Sequence, residues 1–227
     1  VDAAAVSAAA SAGWLLNVFP FWRLRWRAIF QGGVYILLAG AFMFTLTATS
    51  DKIADRMTPS APHTLDSLEY MKYSYYSSYG NDYPLDEDYY AIHWMQENIE
   101  GSPVIVEAAP AGRQYEWHSR FTIYTGLPGV VGWQYHQQQQ RVTFSNQVIQ
   151  RGVDVDNFYN SPDKDAAVNF IRKYDVRYIV VGKLEFAKYT PVDPGIPDGL
   201  LKFNQFNGIL WKEVYRYGET VIYEVLP

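Results

Sequence analysis

Residues 28–47 read AIFQGGVYILLAGAFMFTLT, and this stretch decides the architecture of the chain. Its 20 residues carry no charge, and Gln31 is the only strongly polar side chain. Because an α-helix needs about 20 residues to cross a hydrocarbon core of roughly 30 Å, the stretch predicts a transmembrane helix over residues 28–49. One alternative is a cleavable signal peptide, for which the apolar run is too long and lacks a small-residue cleavage site. The other is the buried helix of a soluble protein.

The charges that flank this span predict its orientation. Three arginines precede it, and four charges that nearly cancel follow it: Arg23, Arg25 and Arg27, then Asp51, Lys52, Asp55 and Arg56. By the positive-inside rule, the N-terminal side is cytoplasmic and everything after about residue 50 is extracytoplasmic. We therefore expect a plasma-membrane protein in contact with the lipid bilayer. Residues 1–27 would be a cytoplasmic or interfacial segment, or the end of a preceding membrane helix.

Composition excludes several kinds of site and partner. The formal net charge of -5 gives no electrostatic support to nucleic-acid binding. The absence of cysteine excludes disulfides, thiolate metal sites and thiol catalysis.

Gly32, Gly33 and Gly40 are small residues of the kind that lets membrane helices pack closely, so other transmembrane helices are expected partners. Because the chain begins with Val1 and not Met, we expect a processed start or a piece of a longer polypeptide.

After the span, the pattern predicts a Tyr-rich connector over residues 50–85 and a soluble α/β domain over residues 86–227. Acidic residues at 86–88 open a helix, and the β-branched run at 103–107 predicts a buried strand that ends in Glu107. Further elements are expected in order along the chain: a strand at 120–124, a polar helix at 134–151, a helix at 163–173, a buried strand at 176–181 and a C-terminal β-hairpin around residues 218–219. Alternating helices and strands predict a Rossmann-like layered α/β fold.

Five blocks of the sequence, in order from about residue 45 to the end, resemble one family. They read TLTATSDKIADRM, HTLDSLEYM, AIHWMQENIEGSPVIVEA, RFTIYTGLPGVVGWQYH and KYDVRYIVVGKLEFAKY, and they resemble the C-terminal part of the YYY-type polytopic membrane proteins of archaea and Chloroflexi-like bacteria, a domain of unknown function. That family looks like the multi-spanning glycosyltransferases that use lipid-linked sugars. The resemblance implies that this chain is a last membrane helix with a terminal domain, and that the catalytic acidic loops lie elsewhere.

The resemblance also implies a ligand-binding set, formed by Glu107, Arg120, Trp133, His136 and Arg141. Lining one cleft at the carboxyl ends of the strands, Trp133 would stack on a sugar face and the arginines would hold a phosphate or a carboxylate. The alternative is structural, with Glu107 and Arg120 forming an ion pair and Trp133 packing in the core.

The chain departs from the family pattern after its histidine. Gln137 stands where the family tends to have Glu, and Gln140 stands where an aromatic is expected. Losing the carboxylate weakens any acid/base role there. Asp86 and Asp88 read as ordinary charge at a helix start, and the four histidines lack metal-ligand spacing. No catalytic residue, metal site or cofactor is therefore predicted in this chain.

Two functions remain. The first is the membrane anchor and extracytoplasmic domain of a glycosyltransferase-like polytopic membrane protein, serving as a non-catalytic module that binds an acceptor or a lipid-linked sugar, or that is structural. The alternative is a non-catalytic single-span subunit of a larger bacterial membrane complex. Whether the parent protein is an enzyme stays open at this point.

Overall fold

The computed structural model describes residues 24–56, 60–62, 64–109 and 116–227, together with Ser7, Ala10, Ser11 and Trp14. The side chains of residues 24–27 and 56 are not among those described. The prediction for residues 1–27, and the arginine side chains used to orient the span, therefore lie almost wholly outside the described residues. The chain divides into two compact units, residues 1–59 and residues 60–227.

The first unit is built on one long helix, α1, which spans Leu24–Arg56. Among the described residues it is the one helix that is long and apolar enough to cross a membrane, over Ala28–Asp55, and no part of that window is buried within the chain. Its hydroxyl groups bond to the helix itself, for example Thr45 Oγ1 to the Ala41 carbonyl and Thr47 Oγ1 to the Met43 carbonyl, each at 3.0 Å. The helix itself thus accepts the hydrogen bonds of these exposed hydroxyls.

The second unit contains six strands and seven α-helices among its described residues, with short 3-10 helices at Glu69–Tyr73, Trp117–Ser119 and Val142–Phe144. The strands are β1 Tyr75–Ser78, β2 Asn81–Pro84, β3 Val104–Val106, β4 Val176–Val181, β5 Trp211–Tyr217 and β6 Thr220–Val225. The helices are α2 Asp86–Asn98, α3 Arg120–Thr125, α4 Gln134–Gln140, α5 Ser145–Asn160, α6 Lys164–Tyr174, α7 Lys183–Tyr189 and α8 Leu201–Gln205.

The main sheet has the strand order β3-β4-β6-β5. Strands β3 and β4 run parallel, whereas β6 is antiparallel to both β4 and β5, so the C-terminal hairpin completes a mixed sheet. Ile105 also forms a parallel bridge with Gly129, which extends the β3 edge by the turn that follows α3. The separate pair β1 and β2 forms a small antiparallel hairpin.

Side-chain alternation divides the core between the two faces of this sheet. Ile105, Val180 and Ile222 point to one face, where they pack with the buried side of α2. The neighbouring residues Val181 and Val221 point to the other face, where they pack with the helices after β3. The predicted fold class is confirmed: a long apolar helix precedes an α/β domain that ends in a β-hairpin.

Three local predictions differ from the structure. The strand predicted at residues 120–124 is wrong, because Arg120–Thr125 is the helix α3, which ends at Gly126 with φ +74°. The helix predicted at residues 134–151 is divided, because Arg141 leaves helical geometry at φ -117° and ψ 52°. The predicted connector contains the β1–β2 hairpin, whose turn residues Tyr79 and Gly80 both have positive φ.

Candidate functional site

The parallel strands β3 and β4 bring two buried carboxylates to the same edge of the sheet. Glu107 follows β3 directly, and its two oxygens accept hydrogen bonds from the main-chain N–H groups of Phe121 and Thr122, at 2.9 and 2.8 Å. These N–H groups lie in the first turn of α3, so the carboxylate satisfies donors that the helix itself leaves unpaired. Burial raises the pKa of Glu107 to about 7, although Arg120 and the donors on α3 act to lower it.

Arg120 is fully buried beside this carboxylate and binds two others. Its Nε lies 2.7 Å from Asp88, and its Nη1 and Nη2 bind the two oxygens of Glu185 at 3.2 and 2.9 Å. Glu185 also accepts the N–H groups of Ala108 and Gly182, at 3.0 and 2.9 Å. Burial acts to raise the pKa of Glu185, but Arg120 and these donors bring it below its ordinary value. We call Asp88, Glu107, Arg120 and Glu185 the strand-end cluster.

A fourth buried carboxylate, Glu87, lies next to the cluster on α2 and fixes the C-terminal hairpin. It accepts the main-chain N–H groups of Glu219 and Thr220 at 2.9 and 3.0 Å. It also pairs with the Lys183 ammonium at 2.8 Å. Each of these carboxylates is thus occupied by donors of the protein itself.

Two consecutive residues, Trp117 and His118, make polar contacts with the cluster and with Tyr79 of the β1–β2 turn. Trp117 Nε1 donates to Asp88 at 3.2 Å, and the next residue, His118, is fully buried. His118 Nδ1 lies 3.1 Å from the Glu116 carboxylate, and its Nε2 lies 2.9 Å from the Tyr79 hydroxyl. The segment 116–119 thereby joins the Tyr-rich hairpin to the strand-end cluster.

The remaining predicted residues lie on and around α4. Trp133 donates its Nε1–H to the Glu116 carbonyl at 3.2 Å, and its ring centre lies 6.5 Å from that of His136. His136 Nε2 is 2.8 Å from the side-chain nitrogen of Gln140, one turn further along. Arg141 follows the end of α4 and is exposed.

The structure therefore distributes the five predicted residues over three places. Glu107 and Arg120 lie together in the strand-end cluster, but Arg120 forms its ion pairs with Asp88 and Glu185, not with Glu107. Trp133 is half-buried and bonds the segment before α3, and His136 lies beside it. Arg141 lines a separate groove. The ligand-binding role of these residues stays a prediction.

That groove has a volume of about 550 Å³ and lies between the turn after α3 and the helices α4 and α5. Its polar lining comes from Thr122, Gln137, Arg141, Gln147 and Arg151, and none of the described residues that line it carries a carboxylate. Thr122 links the groove to the strand-end cluster, because its N–H is one of the two that bind Glu107. We call this the cationic groove.

Among the described residues, no group of three or more His, Asp or Glu side chains is placed to hold a metal ion. The carboxylates at the strand ends are close together, yet Arg120 and main-chain donors occupy their oxygens. A divalent cation prefers oxygen ligands and would have to displace those donors. The residues present therefore give no fit to a metal.

Sequence reasoning missed Asp88, Glu185, His118 and Arg151. Asp88 reads as ordinary charge at a helix start, and Glu185 lies in the short helix after a strand. The signal that could have found Glu185 is its position three residues after Gly182, where a side chain returns to the helix start as in a capping box. Arg151 gives no local signal, because it occupies one position on a largely polar helix.

Comparison with known proteins gives a likeness of shape alone. No protein-family model matches the chain, and no curated protein matches it. Two solved structures that resemble it are crystal structures of the C-terminal globular domain of oligosaccharyltransferase from Archaeoglobus fulgidus. The first is 14% identical, with a TM-score of 0.39 over 60% of this chain and 95% of that chain. The second is 15% identical, with a TM-score of 0.35 over 62% of this chain and 96% of that chain. Membership of the YYY-type family stays a prediction.

Proposed function

We propose that the chain is the membrane anchor and extracytoplasmic domain of a glycosyltransferase-like polytopic membrane protein of the plasma membrane. In this role the α/β unit is a non-catalytic module that binds substrate or supports the structure. The five sequence blocks that resemble the C-terminal part of YYY-type proteins support the assignment to such a protein. The long apolar helix α1, no part of whose apolar window is buried within the chain, supports the anchor.

The observation that carries the non-catalytic role is the internal pairing of the acidic groups. A general acid or base has to reach the proton that it transfers to or from the substrate. Glu107 faces two N–H groups of α3, and Glu185 faces Arg120 and two further N–H groups. Because their oxygens are engaged and both side chains are buried, they support the fold and leave the chemistry to other parts of the protein.

The role is tested with the full chain in lipid nanodiscs that contain a polyprenyl-phosphate-linked sugar and a hydroxyl acceptor. We expect the chain to bind the lipid-linked sugar without releasing or transferring the sugar, measured by mass spectrometry of the glycan. Sugar release that exceeds that of empty nanodiscs, and that disappears in Glu107→Gln, would show that the module is catalytic.

The extracytoplasmic location of the α/β unit is tested separately by cysteine labelling. Because the sequence contains no cysteine, only the introduced residue would be labelled in this chain. Cysteine replaces Asn169, an exposed residue of α6, or Ser11 in the N-terminal segment, and intact cells are treated with a membrane-impermeant maleimide. We expect labelling at position 169 and none at position 11 until the cells are opened. The reverse pattern would contradict the proposed orientation.

A second candidate, a non-catalytic subunit of a larger membrane complex, is favoured by apolar side chains on the surface of the α/β unit. Leu65 and Val192 are fully exposed, and Leu201 and Ile209 are about 60% exposed. The intact mass of the polypeptide from its native membrane separates the two candidates. A mass far above 26.1 kDa supports a polytopic parent, and a mass close to it supports a subunit.

A further inference from the structure

The cationic groove stands out because it concentrates positive charge in an acidic chain. The chain carries a formal net charge of -5, yet the groove is lined by Arg141 and Arg151 and by no described carboxylate. Several other basic side chains of the α/β unit, Arg120, Lys183 and Arg216 among them, lie within ion-pair distance of an acidic one. Within the part of the chain that the structure describes, neither groove arginine has such a partner.

The two arginines line the groove from different elements. Arg151 lies on α5, and its Nη1 donates to the Val130 carbonyl at 3.3 Å, which uses one of the five donors of its guanidinium. Arg141 follows α4 and has helix ends on both sides of it in the chain. Two guanidinium groups that retain most of their donors make a site suited to the oxygens of a phosphate.

The remaining lining supplies what a sugar needs beside a phosphate. Gln137 and Gln147 offer amide donors and acceptors to hydroxyl groups, and Phe144, which also lines the groove, is 55% exposed. The turn that follows α3 forms another wall of the groove and packs closely against this helix, since a Cβ on Gly129 would lie 2.3 Å from Thr122 Oγ1. A volume of about 550 Å³ is within the range of small-ligand sites.

We propose that the cationic groove binds a phosphorylated sugar, with the phosphate held between Arg141 and Arg151 and the sugar lying between the two glutamines and Phe144. The proposal deepens the substrate-binding role proposed above and rests on it for one point, the source of the sugar phosphate, which is a lipid-linked sugar. A free sugar phosphate has the same chemistry, and the experiment below separates the two sources.

The primary test is calorimetric titration of glucose 1-phosphate into the full chain in phosphatidylcholine nanodiscs. We expect saturable binding that is at least about tenfold tighter than that of glucose, because charged hydrogen bonds to the phosphate are lost with the free sugar. Inorganic phosphate is expected to bind more weakly than glucose 1-phosphate, because it leaves the glutamines and Phe144 unused. Equal affinity for phosphate and for glucose 1-phosphate would overturn the sugar part of the proposal.

Variants of the groove decide whether binding occurs there. Arg141→Gln with Arg151→Gln is expected to weaken binding of glucose 1-phosphate at least about tenfold. The matched control, Arg172→Gln with Arg177→Gln, makes the same change in net charge at exposed positions outside the groove and is expected to bind like the wild type. Arg→Lys at both groove positions keeps the charge but loses the planar fork, so intermediate affinity is expected. Wild-type affinity in the double glutamine variant overturns the proposal.

The source is tested by adding a polyprenyl-phosphate-linked glucose to the nanodisc before the titration. Competition with glucose 1-phosphate supports a lipid-linked source. Competition by phosphatidylglycerol alone, which has no sugar, would overturn the proposal in favour of a lipid headgroup site. If glucose 1-phosphate binds but the lipid-linked sugar does not compete, the groove binds a sugar phosphate as proposed, and the lipid-linked part of the proposed function is wrong. If nothing binds while position 169 is labelled from outside, only the groove proposal fails.

Discussion

Two fully buried cations, Arg120 and Lys202, are held in opposite ways in the α/β unit. Arg120 lies among carboxylates, in contact with Asp88 and Glu185. Lys202, on α8, contacts main-chain carbonyls and aromatic rings. The first cation therefore has its charge neutralised by ions, whereas the second has it solvated by dipoles.

The Lys202 ammonium takes the place of a cap at the end of α5. It donates to the carbonyls of Phe158, Tyr159 and Gly199, the latter two at 3.2 and 3.1 Å. Its nitrogen lies 4.8 and 4.6 Å from the ring centres of Phe158 and Phe203. A positive charge is favourable at a helix C-terminus, but burial lowers the pKa of Lys202 to about 7 despite the opposing charge of Asp198.

Burial alone therefore does not decide whether a group in this unit is ionised. Burial acts to lower the pKa of Arg120 as well, but Asp88 and Glu185 raise it above its ordinary value. Arg120 therefore keeps its charge throughout the physiological range, whereas burial raises the pKa of its neighbour Glu107 to about 7. Around Lys202 the cation itself titrates. The regions around Arg120 and Lys202 should consequently lose stability under different conditions.

The largest effect is expected from Arg120→Met. This change leaves the buried carboxylates Asp88 and Glu185 without their cation, and the free energy of unfolding should fall by about 4 kcal/mol. Urea unfolding of the full chain in nanodiscs, followed by circular dichroism, measures the loss. Arg216→Met is the matched control, because it removes an arginine paired with Glu213 near the surface and should cost about 1 kcal/mol or less. Equal losses in the two variants would contradict the ionic role of Arg120.

The second prediction concerns the pH dependence of stability around Lys202. Its folded pKa of about 7 lies below the ordinary value of 10.5, so the unfolded state binds more protons between these values and stability rises with pH. Between pH 7.5 and 9.5 the wild type should gain about 2 kcal/mol more than Lys202→Met, which has no ammonium. The exposed control Lys212→Met should keep the wild-type slope. A wild-type slope in Lys202→Met would show that the buried lysine stays charged.

The third prediction is that Glu107 of the strand-end cluster makes the free energy of unfolding fall as pH rises, which is the opposite of the effect of Lys202. The folded pKa of Glu107, about 7, lies above its ordinary value of 4.5, so the native state binds more protons between these values. The stability that this group contributes is present below pH 4.5 and is lost as pH rises through 7. Between pH 5 and 6.5 the wild type should lose about 1.7 kcal/mol relative to Glu107→Gln, which keeps an acceptor for α3.

Glu97→Gln, an exposed position on α2, is the control for this measurement and should follow the wild type. If Glu107→Gln shows the same loss between pH 5 and 6.5 as the wild type, the carboxylate is already ionised there. The hydrogen bonds from the α3 N–H groups would then lower the pKa of Glu107 by more than burial raises it.

The sequence predicts the parts of this fold whose causes are local. The run 176–181 is apolar enough to be a buried strand, and the helix expected at 163–173 forms one residue later, where the Asp163 side chain accepts the Asp165 N–H at 2.8 Å. The sequence does not predict the helix α3, because the cap of its N–H groups is Glu107, which lies 14 and 15 residues before the two donors. Such a distant cap leaves no pattern within the segment itself.

The same limit applies to the two cations. The family resemblance points to Arg120, but its partners Asp88 and Glu185 lie 32 residues before it and 65 residues after it. Nothing in the sequence points to Lys202, because its acceptors are main-chain carbonyls, which every residue has. A buried cation of that kind becomes visible only when the fold brings the end of α5 against α8.

The smallest effect, and the sharpest test of the comparison, is expected from Asp198→Asn. The charge of Asp198 raises the pKa of Lys202, and its Oδ1 accepts the Leu200 N–H at 2.9 Å, a bond that asparagine retains. Removing the charge should lower the pKa of Lys202 further and reduce stability at pH 7 by roughly 0.5 kcal/mol. Asp193→Asn is matched to it, because Asp193 accepts the Gly195 N–H in the same way at 2.8 Å. If both variants shift the pH profile equally, the nearby carboxylate contributes nothing specific to Lys202, and dipoles alone set its ionisation.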